Sequence, residues 1–381
     1  MNVADGDQQN CNAESEECQT SETNVADDCV DGDSNCKFWA ESGECSANPG
    51  YMLAVCLKAC NVCPLPGRGA LAGLSNMEAA MRRPDCQNGH EECENWATAG
   101  ECSANPSYML TNCARACNTC HLLDAEVRCR PMPGRELALE AGGYLNATFH
   151  RATDPDGPFA HLKPRILSDD PWVVVFDDFM TADEVSALIE KGGQSGFSES
   201  VDAGKRLPNG SFAAIKSTAR TSETAWCVDD FCTKDPRIEA VTARIADVSR
   251  VPYQNSEYLQ VLRYHPGQYY VDHHDYIPGH LEMPCGPRLY TFFLYLSDVE
   301  EGGGTAFNRL VDKSSGEKPL IVQPAKGRAL LWPSVMDRNP FEKDLRTHHE
   351  ATPVTKGIKF AANAWLHMYN FKEPFKVGCT G

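Results

Sequence analysis

The stretch LQVLRYHPGQYYVDHHD, residues 259–275, decides the fold of this 381-residue chain. Its first part, together with the preceding Tyr258, predicts a short β-strand, Tyr258–Tyr264. Its end places a histidine two residues before an aspartate, at His273 and Asp275. Side chains two residues apart on a strand point to the same side of the sheet. We therefore expect these two side chains to face one point.

A second pair of histidines, His348-His349, lies further along the chain. Two histidines and one carboxylate form a facial triad, which leaves coordination positions on Fe(II) open for a co-substrate and O₂. A His-x-Asp pair alone is a weak signal because most such pairs are structural, and His274 and His348 are neighbouring alternatives. The alternation of strand side chains and the spacing favour His273, Asp275 and His349 as metal ligands.

A lysine on a later apolar strand suggests an anionic ligand near these groups. Lys359 opens the run KFAANAWLHM. A buried ammonium without a partner is costly, and a dicarboxylate co-substrate would supply one. Tyr264 precedes the His-x-Asp pair, and a run of three glycines leads to Thr305.

The surrounding pattern predicts an α+β domain. Residues 171–179 form a strand-like run, and Thr181 and Glu184 form a capping box at the start of a helix. We expect Gly192-Gly193 to end that helix, and a second helix to begin at Asp235. Further strands are predicted at Tyr258–Tyr264, Arg288–Leu296, Ala329–Trp332 and Lys359–Leu366. Two helices followed by many short strands indicate a β-sandwich or barrel core.

The first third of the chain contains an internal repeat. Fifteen of the 19 cysteines precede residue 130, and two sets of six share the intervals 7, 9, 11, 4 and 3. A module this small cannot bury enough surface to fold unaided, so three disulfides are expected in each. Zinc is the alternative, but one CxxC per module fits a zinc site less well.

Residues 168–370 strongly resemble the prolyl 4-hydroxylase family of 2-oxoglutarate dioxygenases, above all in 258–308 and 346–367. The resemblance implies a double-stranded β-helix, or jelly roll, with flanking helices and with iron held between two sheets. It assigns three roles: iron ligands at His273, Asp275 and His349; contacts to a carboxylate of 2-oxoglutarate at Lys359, Tyr264 and Thr305; and the lining of a peptide groove at Tyr270, Arg288 and Trp365.

The implied activity is that of a procollagen-proline 4-dioxygenase-like enzyme. It uses Fe(II), with 2-oxoglutarate and O₂ as co-substrates and ascorbate to rescue oxidised iron. It hydroxylates peptidyl proline to 4-hydroxyproline in secreted proline-rich or collagen-like proteins, and releases succinate and CO₂. The triple glycine Gly302–Gly304 and the segment Pro333–Arg346 depart from the family pattern and leave substrate choice open. Hydroxylation of another side chain, such as lysine, is the alternative within this class.

The cysteine repeats closely resemble ShK toxin-like domains. That resemblance implies first-to-sixth, second-to-fourth and third-to-fifth pairing, which the spacing alone does not settle. The implied disulfides are Cys29–Cys63, Cys36–Cys56 and Cys45–Cys60 in module 1, and Cys86–Cys120, Cys93–Cys113 and Cys102–Cys117 in module 2. A secreted binding protein that acts through these modules is a competing function. Channel blocking is disfavoured because Gly50 and Ser107 stand where the toxins carry lysine.

These features divide the chain into an acidic segment 1–28, module 1 at 29–63, a linker 64–85, module 2 at 86–120, a loose connector 121–167 and the dioxygenase domain 168–381. Cys227 and Cys232 form a local bridge or remain free thiols. The sequons at Asn146 and Asn209 bear glycans only if the chain enters the secretory pathway.

The net charge and the cysteine content restrict the expected cellular compartment of the protein and its expected binding partners. The net charge is −18, and residues 1–35 hold ten acidic and no basic residues, so a nucleic-acid footprint is excluded. No apolar run is long enough for a membrane span. Cysteine-dense modules indicate the endoplasmic reticulum lumen or secretion. No signal peptide is visible, so we expect a leader missing from this sequence rather than a cytosolic protein. The expected partner is a proline-containing peptide, with further docking through the modules.

Overall fold

A computed structural model describes residues 31–42, 44–47, 52, 55–56, 58–60, 86–131, 135–206, 212–313, 315–316 and 319–380. The chain divides into two compact units, Met1–Asn76 and Met77–Gly381. Module 1 belongs to the first unit. Module 2, the connector and the predicted dioxygenase domain all belong to the second.

Two antiparallel sheets form the centre of the second unit. The large sheet has eight strands, in the spatial order Pro164–Asp169, Trp172–Phe176, Ala329–Pro333, Arg288–Tyr295, Lys359–His367, Leu259–Tyr264, Glu223–Cys227 and Ser198–Glu199. The small sheet has four, in the order Leu320–Val322, Thr305–Phe307, His349–Ala351 and Tyr270–His273. The four central strands predicted from the sequence agree with the structure to within one residue at each end. Short pairs join Glu301–Gly302 to Val354–Lys356, Val335–Met336 to Asn339–Lys343, and Val201–Arg206 to Phe212–Lys216.

The large sheet is buried on both faces. Its outer face packs on three helices, Tyr144–Thr153, Ala182–Gln194 and Pro236–Ser249, in one apolar cluster. Its inner face joins the small sheet in a second cluster that includes Tyr264, Tyr295, Phe307 and Trp332. This arrangement of two facing sheets with flanking helices is the predicted jelly roll. The strands that carry the predicted site residues face each other across the space between the two sheets. Outside module 2, the short helices described in this unit are Ala125–Arg128, Asp230–Thr233 and Lys372–Lys376, with single 3₁₀ turns at Cys120–Leu123, Ala160–Leu162, Tyr253–Asn255, Pro278–Glu282 and Leu345–Thr347.

The helix Ala182–Gln194 begins as predicted but ends later. Thr181 and Glu184 form the capping box, with each side chain bonded to the other's backbone N–H. The prediction that Gly192-Gly193 ends the helix is wrong. A Cβ on Gly192 would lie 2.4 Å from Cγ2 of Val261, so the glycine lets the helix approach the sheet.

The prediction of a loose connector over residues 121–167 is also wrong. The helix Tyr144–Thr153 buries Leu145 and Phe149 in the outer cluster, and Phe149 stacks on Trp172 at 5.2 Å. The strand Pro164–Asp169 then pairs with its neighbour in the large sheet. The core of the dioxygenase domain therefore begins well before residue 168.

Both modules contain short helices held by disulfides. Module 1 has helices Cys36–Glu41 and Glu44–Ala47, and module 2 has Cys93–Thr98, Glu101–Ala104 and Pro106–Asn112. The bonds Cys36–Cys56, Cys45–Cys60, Cys86–Cys120, Cys93–Cys113 and Cys102–Cys117 are present, each a pair that the ShK resemblance implies. Cys29 and Cys63 lie outside the described residues, as do Cys11, Cys18 and Asn209.

The remaining cysteines add two bonds in the second unit. Cys227 pairs with Cys232, which closes a local bridge, and Cys129 pairs with Cys379 across 250 residues of sequence. Cys285 is a buried free thiol. Among the described residues, no helix has the length and apolar character that a membrane span requires.

Candidate active site

Three side chains converge between the two sheets. Nε2 of His273 lies 3.8 Å from Oδ1 of Asp275, and Nε2 of His349 lies 3.7 Å from Oδ2 of the same carboxylate. One donor atom from each residue falls within 4.8 Å of the others, and the three form the only such group of metal-binding type among the described residues. The separation suits donors that share one ion.

The backbone sets the orientation of both imidazole rings. His273 and His349 are register partners on neighbouring strands of the small sheet. Nδ1 of His273 lies 2.9 Å from the carbonyl of Val271, and Nδ1 of His349 lies 3.0 Å from the carbonyl of Thr347. If each Nδ1 carries the proton and donates it there, each Nε2 keeps a free lone pair directed at Asp275.

Asp275 does not lie on a strand, so the expectation from strand alternation fails for this residue. The strand ends at His273, and Asp275 follows in a bend. The hydroxyl of Thr291, on the large sheet, donates to Oδ2 of Asp275 at 2.6 Å. The orientation of the Asp275 carboxylate is therefore fixed by a hydrogen bond from the other sheet and not by strand alternation.

The protonation states suit a cation. Burial alone would raise the pKa of Asp275, but His349, His273 and Arg288 outweigh it and lower the value to about 2. Burial lowers the pKa of His273 to about 3. At neutral pH the site thus holds a carboxylate and a neutral His273 imidazole, which are the metal-binding forms.

The two neighbouring histidines point elsewhere. Nε2 of His274 lies 2.7 Å from the carbonyl of Asp344, and Nδ1 of His348 lies 3.0 Å from Oδ2 of Asp272. Neither belongs to the converging group.

Lys359 is fully buried beside the cavity. Among the described residues, its Nζ has no hydrogen-bond partner. The ring centroids of Phe293, Tyr264 and Tyr295 lie 5.0, 5.3 and 5.7 Å away. Burial lowers the pKa of Lys359 to about 7. An unpartnered ammonium at this depth fits an anionic ligand, because such a ligand would remove the cost of the isolated charge.

Most of the site residues predicted from the sequence line the cavity next to Lys359. Tyr264, Tyr270, Thr305 and the three converging side chains all line it. Oγ1 of Thr305 accepts a hydrogen bond from the hydroxyl of Tyr295 at 2.8 Å. The glycine run lies close to the lysine: Gly303 has φ +70°, and a Cβ there would lie 3.4 Å from Cδ of Lys359.

The three predicted groove residues are in different environments. Tyr270 stacks on His273 with ring centroids 3.6 Å apart. Arg288 and Trp365 do not line this cavity. The Arg288 guanidinium lies 3.9 Å from the Trp365 ring centroid and reaches toward the carbonyl of Asp275 at 3.4 Å.

Arg288 belongs to a buried network that sequence reasoning missed. Its Nε donates to Oε1 of Glu257 at 2.6 Å, and Nε2 of His367 lies 2.8 Å from the same oxygen. Burial favours the neutral carboxyl, but the two partners outweigh it and hold the pKa of Glu257 well below its usual range. Burial likewise lowers the pKa of His367, yet Cys285 and Glu257 raise it to about 9. No motif connects these residues, since the three come from separate segments of the chain.

The comparisons with known proteins agree with this geometry. Residues 259–367 match the family model of the 2OG-Fe(II) oxygenase superfamily, and residues 28–63 and 85–120 match the model of ShK domain-like segments. The fold and site therefore define an Fe(II)- and 2-oxoglutarate-dependent oxygenase that carries two ShK-like modules.

Within this class the chain belongs to the prolyl 4-hydroxylase family. It is 32% identical to prolyl 4-hydroxylase 1 of Arabidopsis thaliana over 236 residues, which cover 58% of this chain and 79% of that protein. It is 33% identical over 220 residues to prolyl 4-hydroxylase subunit alpha-2 of Caenorhabditis elegans, which cover 56% of this chain and 38% of that one.

Solved prolyl hydroxylases also match. A viral collagen prolyl hydroxylase from Paramecium Bursaria Chlorella virus-1, in complex with 2-oxoglutarate, is 26% identical with a TM-score of 0.38, over 51% of this chain and 95% of that one. A Pseudomonas putida prolyl-4-hydroxylase is 17% identical with a TM-score of 0.34, over 52% and 93%.

Proposed function

We propose that this enzyme hydroxylates peptidyl proline to 4-hydroxyproline in secreted proline-rich or collagen-like proteins, with release of succinate and CO₂. The observation that supports the proposal is that the His273–Asp275–His349 group and the buried, unpartnered Lys359 occur together in one site. Iron with 2-oxoglutarate and O₂ supplies the oxidising chemistry when bound. The protein residues hold, orient and shield those reactants.

In this proposal the three converging side chains would hold Fe(II), which would keep coordination positions available for the co-substrate and O₂. Lys359 binds the distal carboxylate of 2-oxoglutarate, with Tyr264 and Thr305 as hydrogen-bonding partners of the same group. The aromatic rings around Lys359 exclude water, which strengthens the ion pair.

The peptide lies against Tyr270, Arg288 and Trp365. The Glu257–Arg288 ion pair fixes the guanidinium beside Asp275, so the peptide meets a preset cation close to the iron. Ascorbate would be the reductant that keeps bound iron in the Fe(II) form. The disulfides of both units suit the endoplasmic reticulum lumen or the cell exterior, because such bonds persist in oxidising compartments. The ShK-like modules provide docking to further partners.

A peptide assay tests the proposal. The purified chain is incubated with Fe(II), 2-oxoglutarate, ascorbate and a proline-rich peptide, and the peptide is analysed by mass spectrometry. We expect one added oxygen on proline and matching formation of succinate. A matched peptide with lysine in place of proline should remain unmodified. Oxygen on lysine, or turnover of neither peptide, would reject the proposed substrate.

A further inference from the structure

The chain continues past the strand Lys359–His367 in a segment that bonds to two other parts of the core. Residues 368–379 include the short helix Lys372–Lys376, and we name them the C-terminal brace. They begin where the match to the oxygenase family model ends, at residue 367. The brace is therefore a feature that the family model does not describe.

The start of the brace bonds to the stretch of chain that leads into Glu257. The N–H of Phe371 donates to the carbonyl of Gln254 at 2.7 Å. The side-chain amide of Asn255 donates to the carbonyl of Met368 at 3.1 Å. These two bonds fix the backbone two and three residues before the Glu257 carboxylate.

The same part of the brace also bonds to the stretch that leads into Arg288. The N–H of Met368 donates to the carbonyl of Pro287 at 3.0 Å, and the N–H of Tyr369 donates to the carbonyl of Cys285 at 2.9 Å. The brace thus joins the two segments that carry the Glu257–Arg288 ion pair.

Lys372 fastens the brace to the first of these segments. Its side chain is 7% exposed, and among the described residues its Nζ has no hydrogen-bond partner. Its Nζ lies 3.4 Å from the ring centroid of Tyr258 and 4.7 Å from that of Tyr253, and aromatic faces attract a desolvated cation. Burial lowers the pKa of Lys372 to about 7, and the attraction of Glu257 acts against this shift. The two rings that hold Lys372 stand on either side of Glu257 in the sequence.

The far end of the brace is held from the side of module 2. Cys379 is bonded to Cys129, and Nε of Arg128 donates to the carbonyl of Val377 at 2.9 Å. The last helix of module 2, Pro106–Asn112, lies against the helix of the brace. The brace is therefore fixed at both ends, by the core at its start and by module 2 and the residues after it at its end.

The position of Arg288 depends on the segments that the brace joins. Nε of Arg288 donates to Oε1 of Glu257 at 2.6 Å, and the guanidinium lies 3.9 Å from the ring centroid of Trp365. The N–H of Glu257 in turn donates to the carbonyl of Trp365 at 2.9 Å. Hydrogen bonds weaken steeply when they are lengthened or bent. A shift of either segment would therefore misplace the guanidinium.

We propose that the C-terminal brace, through Lys372, positions the Arg288 guanidinium for the peptide, and that module 2 and the bond Cys129–Cys379 hold the brace in this role. This inference rests on the proposed function, in which the peptide lies against Arg288. Lys372 is a positioning residue, since it acts through the segment that carries Glu257. Module 2 thereby contributes to substrate binding within its own chain.

The test uses point variants of the full chain. Lys372→Met keeps the length of the buried side chain and removes the cation, and Lys372→Arg restores a cation. A third variant replaces Cys129 and Cys379 together by serine. Lys376→Met is the matched control, since Lys376 lies on the same helix but is half-exposed and pairs with Glu373 at the surface.

Three readouts separate positioning from general damage to the fold. They are KM for a proline-rich peptide, KM for 2-oxoglutarate, and hydrogen exchange of the backbone over residues 254–258 and 285–289. The assays are run at about pH 6.5, where Lys372 is mostly protonated. Thermal unfolding confirms that each variant is folded.

Lys372→Met and the double serine variant should raise KM for the peptide about threefold to tenfold and accelerate exchange in both segments. KM for 2-oxoglutarate should stay at the wild-type value, because Lys359 lies at the opposite end of its strand from the brace. Lys372→Arg should recover most of the peptide affinity, since a guanidinium also binds aromatic faces. The control should match the wild type.

An unchanged peptide KM in Lys372→Met, or an equal rise in both KM values, would overturn the inference. If the wild-type protein hydroxylates no proline peptide, the proposed function fails and hydrogen exchange decides on the brace alone. Faster exchange in Lys372→Met would then support the positioning of the two segments, and exchange at the wild-type rate would overturn it.

Discussion

Lys359 is buried without a partner, so its charge depends on the presence of an anion. Its pKa is lowered to about 7 by burial, whereas an exposed lysine titrates near 10.5. In the ligand-free protein the folded state binds fewer protons than the unfolded state between these values. The free energy of unfolding therefore rises with pH across that window.

The binding of 2-oxoglutarate should show the opposite trend. Above about pH 7 Lys359 must take up a proton from solvent when the dicarboxylate binds. The affinity for 2-oxoglutarate should therefore fall by up to about tenfold per pH unit. Calorimetry from about pH 7 to about pH 9 measures this slope. Lys359→Arg should flatten the profile because a guanidinium stays protonated. A wild-type affinity that does not change with pH would show that another cation binds the co-substrate.

Removal of the charge gives a second measure of the same contact. Lys359→Met keeps the length of the side chain and removes its ammonium. A hydrogen bond to a charged group contributes roughly 1.5–3 kcal/mol, so the KM for 2-oxoglutarate should rise about tenfold or more. Iron content should stay at the wild-type level. An unchanged KM would contradict the assignment of Lys359.

The sequence could indicate individual site residues where one motif contains them. His273 and Asp275 stand two residues apart, and Lys359 stands alone in an apolar strand, so each gave a signal. The Glu257–Arg288–His367 network gave none, since its members meet only when three separate segments fold together. The position of Asp275 beyond the strand end was missed because Thr291, which orients it, comes from the other sheet.

At the scale of elements, the approach of the helix Ala182–Gln194 to the sheet depends on Gly192. Gly192→Ala would place a methyl group against Val261, and overpacking of this kind costs typically 1–3 kcal/mol. Gly193→Ala is the matched control, since its Cβ would meet Phe197 at a longer 3.2 Å. Thermal unfolding should show a larger loss for Gly192→Ala. Equal stability of the two variants would contradict the close approach.

Elements with strong periodic patterns were predictable, and those between them were not. The central strands are runs of residues typical of strands and are bounded by turns, so their predicted limits were close to the observed ones. The helix Tyr144–Thr153 was missed because Gly142-Gly143 and the DPDGP stretch at 154–158 flank it and resemble a linker. Its burial depends on Trp172 and the outer cluster, which a local pattern does not show.

At the scale of the whole molecule, removal of the first unit should leave the stability of the second unit unchanged, whereas truncation within the second unit should lower it. A chain that begins at Met77 keeps the second unit whole and should retain its melting temperature and its activity on short peptides. A chain that begins at residue 165 loses the buried Phe149 and the bond Cys129–Cys379. Losing a large buried aromatic side chain costs about 3–5 kcal/mol, and a native disulfide about 2–5 kcal/mol. Unfolding of the shorter chain at a temperature equal to that of the longer one would contradict this account.

The central claim is that His273, Asp275 and His349 hold the iron that the reaction requires. The most direct measurement is iron content together with 2-oxoglutarate turnover in two matched pairs of neighbours, His273→Ala with His274→Ala and His349→Ala with His348→Ala. We predict that the first member of each pair loses bound iron and all turnover, because two remaining ligands hold the metal too weakly. The second member of each pair should keep both. Wild-type iron content and turnover in His273→Ala or His349→Ala would contradict the claim.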